Sequence, residues 1–194
     1  MVLDEAGLDL LFRTARTPER WRDEAVTDDV LHRLYDLVRL GPTSGNCSPA
    51  RFVFLRTVDN RERLRSTLSE GNVEKVLSAP VTVIVAHDPL FFDRFATLNP
   101  EPGLRSWFAA DVGLAEETAF RNGTLQGGYL IMAARALGLD VLPVSGFDAY
   151  AVEDSFLAGQ GWRVNFLVSL GYADGQPERP RAPRLSFDDA CMML

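Results

Sequence analysis

Four short stretches of the sequence combine arginine, hydroxyl groups and glycine outside any periodic segment. They are "ARTPERW" with Arg16 and Thr17, "GPTSGNCSP" with Pro42, Thr43, Ser44 and Asn46, "PVSGF" with Pro143, Ser145 and Gly146, and "RPRAPRLSF" with Arg181 and Arg184. Arginine forms charge-assisted hydrogen bonds to phosphate, and glycine lets backbone N–H groups approach a planar ligand. The four stretches therefore suit a phosphate-containing ligand, although each one alone equally fits a plain turn or an exposed charge.

Other kinds of active site are not indicated. The sequence has no nucleophile elbow, Walker A loop or HExxH motif. Its two histidines, His32 and His87, are far apart and are predicted to be surface or capping residues. Cys47 and Cys191 have neither a disulfide nor a zinc spacing, so reduced thiols are expected. We therefore predict no catalytic side-chain nucleophile and no metal site.

Charge and hydropathy exclude two further classes of function. The net charge is −7 and the isoelectric point is near 4.9, whereas nucleic-acid binding needs clustered lysine and arginine. The N-terminal stretch carries early acids, and the longest apolar runs are far shorter than the roughly 20 residues that cross a bilayer. We expect a soluble cytoplasmic protein without nucleic-acid or membrane partners. Its 194 residues fit one domain, 1–194.

The first half of the chain places the "GPTSGNCSP" loop between a helix and a strand. Helices are predicted over 5–13 and over 30–38, the second capped by Thr27 or Asp28 and stopped by Gly41-Pro42. Strands are predicted over 50–56 and 79–87, with a short helix over 61–68 between them. The aromatic stretch 88–108 is predicted to be a loop or short-helix excursion.

The second half begins with a long apolar helix, predicted over 111–139. Gly127 and Gly128 weaken it, so we expect the close approach of another helix to compensate. Strands over "DVLPVSG" and 164–172 follow, then a Pro-rich extended tail that ends in a short apolar helix-like piece. Helices covering a sheet in this order predict a mixed α/β arrangement. A Rossmann domain is not indicated, because no βαβ run carries GxGxxG.

Taken in order, these stretches resemble the FMN-dependent nitroreductase family. "RTPERW" is similar to the family's N-terminal Arg-Ser-x-Arg stretch, with Glu19 where a second basic residue is usual. "PTSGNCSP" resembles its Pro-Ser-Ser-x-Asn-x-Gln-Pro loop, with Ser48 for Gln and Ala50 for the following Trp. "EGNVEKVLSAPVTVIV", "QGGYLIMAARALGLDVLPVSGF" and "NFLVSLGYAD" extend the resemblance over nearly the whole chain. "GPTSGNCSPAR", "AEETAFRN", "SGFD" and "PRLSFDDAC" look closest to the malonic semialdehyde reductase branch of uracil degradation.

The resemblance implies a fold and an assembly. The fold is an α+β three-layer sandwich, a mixed, mostly antiparallel sheet flanked by helices, with a C-terminal tail. The assembly is a homodimer with FMN at the subunit interface, to which the helix over 124–139 would contribute.

The resemblance also implies FMN contacts. Arg16, Thr17 and Arg184 would hold the phosphate and ribityl chain, with Arg181 as a second phosphate contact. The partner subunit would supply Pro42, Thr43, Ser44 and Asn46. Asn72 would bond the polar edge of the ring, beside the loop of Pro143, Ser145 and Gly146, whose last two residues would lie near N5.

The implied chemistry belongs to the cofactor. NADH or NADPH would give hydride to FMN N5, and an oxidised substrate would then take it in a ping-pong scheme. The leading substrate is malonic semialdehyde, reduced to 3-hydroxypropionate, and Arg105 and Arg121 are candidate cations for its carboxylate. Three alternatives remain: a broad nitro- or quinone reductase, a flavin-binding protein without turnover, and an α/β interaction module without cofactor.

Overall fold

A four-stranded antiparallel sheet forms the centre of the molecule, whose computed structural model describes residues 2–175 and 179–194. The strands are β1 (Ala50–Leu55), β2 (Val81–His87), β3 (Asp140–Val144) and β4 (Arg163–Gly171), in the order β1-β2-β4-β3. Val53 lies opposite Ile84, and Leu142 lies opposite Ser169. Every residue of β2 is buried, as its β-branched composition predicts.

Nine α-helices accompany the sheet in the described part of the chain. They are α1 (Glu5–Leu8), α2 (Asp28–Val38), α3 (Val58–Glu62), α4 (Val73–Leu77), α5 (Phe95–Leu98), α6 (Leu104–Ala110), α7 (Val112–Ala136), α8 (Ala149–Val152) and α9 (Phe187–Ala190). Wider π-helical turns extend α1 and α8, over Asp9–Arg13 and Glu153–Leu157. Short 3₁₀ turns cover Ser44–Asn46, Arg65–Thr67, Glu70–Asn72 and Phe91–Arg94.

The helices cover both faces of the sheet, which gives the expected three layers. Alternate residues of β2 point to opposite faces. Val81, Val83 and Val85 pack with α2 and α7, while Ile84 and Ala86 pack with α4 and α8. The sandwich prediction is confirmed, and each of the three observed strand pairs is antiparallel.

An aromatic cluster separates the excursion after β2 from the main core. Its buried members are Cys47, Phe91, Phe92, Phe95, Phe108, Ala115 and Ala119. The rings meet edge to face at centroid distances of 5.0–5.9 Å, a favoured arrangement. The cluster packs the excursion against the first half of α7 and encloses the Cys47 side chain of the 41–50 loop.

Most predicted elements are observed, and one short helix is shifted. Thr27 is the cap of α2, because its hydroxyl accepts from the Val30 N–H. The short helix begins earlier than predicted, at Val58, because Thr57 caps it by accepting from the Asn60 N–H. The predicted tail includes residues 176–178, which lie outside the described residues. In the remainder of the tail, α9 is short and exposed.

The expectation of a second helix beside both helical glycines is wrong for Gly127. A Cβ at Gly127 would fall 2.4 Å from the Phe166 ring and 3.3 Å from Val85. Gly127 therefore allows the sheet, not a helix, to approach α7. A Cβ at Gly128 would meet no described atom within 4 Å.

A buried pair of hydroxyl groups lies on the other face of the sheet. Thr82 and Ser169 are fully buried, and their oxygens are 2.9 Å apart.

Among the described helices, none is long and apolar enough to cross a membrane.

Candidate functional site

The loop from Gly41 to Ala50 connects α2 to β1 through an unusual backbone. Gly45, Asn46 and Ser48 have φ angles of 55°, 53° and 39°. A non-glycine residue in this left-handed region costs about 1–3 kcal/mol and persists only where its surroundings fix it. Contacts around the loop must therefore maintain its shape.

Three polar side chains of α7 supply those contacts. The Ser44 N–H donates to Asn122 Oδ1 at 2.8 Å, and the Ala50 N–H donates to Gln126 Oε1 at 2.9 Å. The Tyr129 hydroxyl donates to the Pro42 carbonyl at 2.9 Å. Asn122 and Gln126 are only 8% and 5% exposed. The long helix thus anchors the loop at its start, middle and end.

The loop presents side chains rather than free backbone N–H groups. Within the loop, the N–H groups of Asn46, Cys47 and Ser48 bond Thr43 O, Ser44 O and Thr43 Oγ1. The idea that its N–H groups surround a ligand is therefore wrong for these positions. Pro42, Ser44 and Asn46 are exposed, and Thr43 is half-buried. The Asn46 amide donates to Leu98 O, and its Oδ1 accepts no hydrogen bond from the described residues.

A second group forms where β3 ends. The Gly146 carbonyl accepts from the Ser69 N–H at 2.9 Å and from Asn72 Nδ2 at 3.2 Å. A Cβ at position 146 would lie 2.7 Å from Asn72 Nδ2 and 3.0 Å from Ser69 Oγ. Only glycine fits without moving these side chains. The structure thus brings Asn72, Ser145 and Gly146 together.

The backbone of this second group is open on the other side. The N–H groups of Ser145 and Gly146 have no acceptor among the described residues. Pro143 and Ser145 are exposed, and Gly146 is half-buried. Two free N–H groups, a hydroxyl and a primary amide can pair with the mixed donor and acceptor edge of a polar ring.

A third group contains arginines from three distant parts of the sequence. Arg16 Nη2 donates to the Arg179 carbonyl at 2.6 Å. Arg181 Nη2 donates to the carbonyls of Phe12, Arg13 and Ala15 at 3.1, 2.9 and 2.7 Å. These bonds attach the tail to the N-terminal segment that carries Arg16.

Arg135, at the end of α7, is the third member of this arginine group. Its Nη1 donates to the Leu11 carbonyl at 3.2 Å. Burial and the nearby Arg181 guanidinium lower the pKa of Arg135, opposed by Asp140. Over residues 2–175 and 179–194, no carboxylate forms an ion pair with Arg16, Arg135 or Arg181. Asp140 is a nearby carboxylate that offsets part of this positive charge without forming an ion pair.

A cavity of about 210 Å³ adjoins this arginine group. It is lined by Thr14, Arg16, Arg135, Gly138 and Asp140, among others. Its cations and hydroxyl group suit an anion, because charge-assisted bonds to phosphate are strong.

Two further residues expected beside the phosphate, Thr17 and Arg184, do not line this cavity. Thr17 is exposed. The Arg184 guanidinium donates only to the carbonyls of its neighbours Ala182 and Pro183, within the described residues. A single chain therefore does not bring Arg184 to the cavity.

Both candidate substrate cations have carboxylate partners. Arg105 pairs with Asp93 at 2.5 Å, and Arg121 pairs with Glu117 one helical turn away. All four side chains are about half exposed or more. Such surface pairs are weak, typically under about 1 kcal/mol, so a substrate carboxylate could still compete for either arginine.

The arginine group and the Gly146 group lie at opposite ends of β3. Asp140 begins the strand and lines the arginine cavity, and Gly146 follows the strand's last residue. Extended chain rises about 3.3 Å per residue, so these ends are up to about 20 Å apart. A ligand that reached both groups would be elongated, with an anion at one end and a polar ring at the other.

The prediction of surface histidines is wrong for His87. This residue is 2% exposed, and its Nε2 lies 2.8 Å from Glu116 Oε1. Its Nδ1 is buried without a partner among the described atoms. His87 ends a fully buried strand beneath α7, which excludes water from the ring.

Sequence reasoning also missed Arg135 and the three loop anchors on α7. Asn122, Gln126 and Tyr129 recur at intervals of four and three residues, which places them on one helix face. Polar residues at helical spacing in an otherwise apolar helix were the available signal. Arg135 carried no comparable signal because its setting depends on the fold.

Comparison with known proteins agrees with this architecture. The Nitroreductase family model matches residues 13–172. The fold is similar to that of a protein assigned as the nitroreductase ydfN of Bacillus subtilis, with TM-score 0.85, 20% identity and coverage of 98% of this chain and 100% of that one.

Two further structures share the fold. One is a protein from Exiguobacterium sibiricum assigned as a nitroreductase, in complex with FMN, with TM-score 0.82, 16% identity and coverage of 100% and 98% of the two chains. The other is a protein from Staphylococcus epidermidis assigned as an NAD(P)H:FMN oxidoreductase, with TM-score 0.83, 13% identity and the same coverage. Because the family model spans most of its length, this chain belongs to the nitroreductase family.

Proposed function

We propose that the protein is an FMN-dependent NAD(P)H oxidoreductase. The observation that carries the proposal is the pair of polar groups at the two ends of β3, with the arginine group at one end and the Gly146 group at the other. Family membership supports it, as do the FMN and NAD(P)H:FMN assignments of structural neighbours. The proposal treats residues 1–194 as one FMN-binding domain.

The residues present fit FMN. Arg16, Arg135 and Arg181 would hold the phosphate, with Thr14 and Thr17 beside it. The lack of a side chain at Gly146 lets Asn72 and Ser69 pack against its backbone, and the flavin ring would lie beside this group. Arg184 would require movement of the tail or contribution from a second chain.

When bound, FMN supplies hydride transfer between NAD(P)H and an electrophilic substrate. The protein would bind the FMN, orient its ring and favour its reduced state. The free N–H groups of Ser145 and Gly146 would donate hydrogen bonds to the ring edge and so favour its electron-rich, reduced state. The Asn72 amide, oriented by the Gly146 carbonyl, would fix the ring in its plane. No side-chain nucleophile is required.

We propose that the working unit is a cytoplasmic homodimer. The exposed Pro42, Ser44 and Asn46 share no hydrogen bond with either site on β3 within the described chain. A second copy would let this loop contact flavin bound elsewhere. Exposed apolar residues on α2 and α7, such as Leu37, Phe120 and Leu125, support an interface there.

We propose malonic semialdehyde as the substrate, reduced to 3-hydroxypropionate. The sequence motifs of that branch are the support, and either Arg105 or Arg121 would exchange its surface carboxylate for that of the substrate. If Arg105→Ala and Arg121→Ala both leave the KM for malonic semialdehyde unchanged, this assignment of the cations is wrong.

An absorption spectrum tests the proposal. Purified protein is mixed with FMN, freed of excess, and treated first with NADH or NADPH and then with substrate. Retained flavin bands that bleach and then recover with malonic semialdehyde support the full proposal. Recovery only with nitroaromatics or quinones indicates a broad reductase, and retained flavin that never bleaches indicates a binding protein. A colourless protein would overturn the cofactor assignment.

A further inference from the structure

The loop from Gly41 to Ala50 is held from two sides. On one side stand the α7 anchors Asn122, Gln126 and Tyr129. On the other side the bonds are reciprocal: Asn46 Nδ2 donates to Leu98 O at 2.7 Å, and Asn99 Nδ2 donates to Gly45 O at 2.8 Å. The loop is thus fixed between the long helix and the end of α5.

The anchors are built into the core rather than added at its surface. Asn122 Nδ2 donates to Thr118 O at 2.9 Å, which fixes the orientation of the amide and aims Oδ1 at the Ser44 N–H. A Cβ at Gly41 would fall 2.1 Å from the Tyr129 ring, so the loop's first residue packs directly on that ring. Cys47, between the anchored positions, is fully buried in the aromatic cluster.

These contacts explain how the backbone persists at Gly45, Asn46 and Ser48. Gly45 adopts its positive φ angle without a steric penalty, but the positive φ angles of Asn46 and Ser48 are unfavourable in an isolated chain. The anchors accept hydrogen bonds from the N–H groups of Ser44 and Ala50, and the loop's own Thr43 and Ser44 accept those from the N–H groups between, while the Ser44 and Asn46 side chains stay exposed. A preformed loop binds a partner without the cost of ordering it.

We propose that Asn122, Gln126 and Tyr129 are positioning residues that preform this loop for contact with flavin bound to a second copy of the chain. The proposal rests on the FMN and homodimer assignments above. The anchors themselves need not touch the flavin, since they act through the loop backbone.

Gln126→Met tests the proposal, because methionine matches glutamine in length and lacks the acceptor for the Ala50 N–H. We expect faster hydrogen exchange at the Ala50 amide and an FMN dissociation constant at least tenfold higher. Gln126→Glu keeps an acceptor oxygen, so it should restore both values to within about threefold of wild type.

Ser169→Ala is the matched control. It removes a buried hydrogen bond on the opposite face of the sheet, so it lowers the melting temperature without touching the loop. FMN affinity should stay within twofold of wild type.

Tyr129→Phe provides a second test in a variant that should fold normally. It keeps the ring against Gly41 and removes only the hydroxyl, so it should raise the FMN dissociation constant about threefold.

The outcomes distinguish a failure of the proposed FMN binding from a failure of the positioning role alone. If wild-type protein binds no FMN, the proposed function fails and this inference fails with it. If wild type binds FMN while Gln126→Met and Tyr129→Phe bind it equally well, only the positioning role is wrong. An equal loss in Ser169→Ala would also overturn it, because the effect would then follow from general destabilisation.

Discussion

The 41–50 loop and the arginine group use polar residues in opposite ways. In the loop, buried side chains of α7 accept hydrogen bonds from backbone N–H groups. These bonds fix the shape of the loop, and the bonded N–H groups are no longer free to bind a ligand. In the arginine group, backbone carbonyls hold guanidinium groups near the surface, and the positive charge has no described carboxylate partner. The first region is specified by packing and the second by charge. Mutations in the loop should therefore change shape or stability, and those in the arginine group should mainly change ligand affinity.

The largest effect is expected from Arg16→Ala. A hydrogen bond to a charged group contributes about 1.5–3 kcal/mol, so FMN affinity should fall by about a hundredfold with little change in melting temperature. Fluorescence titration with FMN measures the loss. Arg33→Ala, which removes an exposed arginine on α2, should leave affinity unchanged. Equal FMN affinities for Arg16→Ala and wild type would show that the charge of Arg16 does not contribute to FMN binding.

Gly127→Ala tests the packing of α7, the helix that anchors the loop, against the sheet. Its new methyl group would meet Phe166 and Val85 in the core, and overpacking costs about 1–3 kcal/mol. We expect the free energy of unfolding to fall by about 2 kcal/mol, measured by urea denaturation. Gly128→Ala meets no described atom, so in a monomer it should gain up to about 1 kcal/mol from helix propensity. A neutral Gly127→Ala would show that α7 and the sheet are packed less closely than described.

Gly146→Ala should separate binding from stability. The methyl group would displace the ends of two side chains, Asn72 and Ser69, rather than backbone. We therefore expect a melting temperature within a few degrees of wild type and FMN affinity lower by about tenfold, roughly 1.4 kcal/mol. Titrations with FMN and calorimetry on the same samples check both values. Unchanged FMN affinity would exclude the Gly146 group as the site of the flavin ring.

The smallest effect concerns the pH dependence of stability. Burial raises the pKa of the Cys47 thiol, against weaker opposition from Thr43 and backbone hydrogen bonds. The folded state therefore keeps this proton at a pH where the unfolded state has lost it. Stability from Cys47 is fully present below the ordinary thiol pKa of about 8.5 and is lost as pH rises through the folded value.

A comparison with Cys47→Ala isolates this contribution. Between pH 7.5 and 10, the free energy of unfolding should fall more steeply in wild type than in the variant. Identical slopes would mean that the loop does not shield the thiol. Cys191 is exposed and serves as an internal reference, since it should react with thiol reagents without unfolding.

Periodicity and turn chemistry predicted a sheet covered by helices and placed most of its elements to within a few residues, whereas the three layers were implied by the family resemblance. The β-branched run at Val81–His87 and the apolar helix ending at Ala136 have patterns that depend only on local sequence and burial. The site was predictable as a set of stretches, but its bonding was not. Gln126 and Ala50 are 76 residues apart, and no local pattern shows that their groups meet. The burial of His87 and Arg135 likewise depends on which helix covers which strand.

The most direct test compares FMN with riboflavin, which lacks the phosphate. The arginine group should contribute binding energy only to FMN. Fluorescence titration of wild-type protein should give an FMN dissociation constant at least a hundredfold below that of riboflavin, and Arg16→Ala should remove most of the difference. Equal dissociation constants for the two flavins in wild type would contradict the assignment of Arg16, Arg135 and Arg181 as the phosphate site.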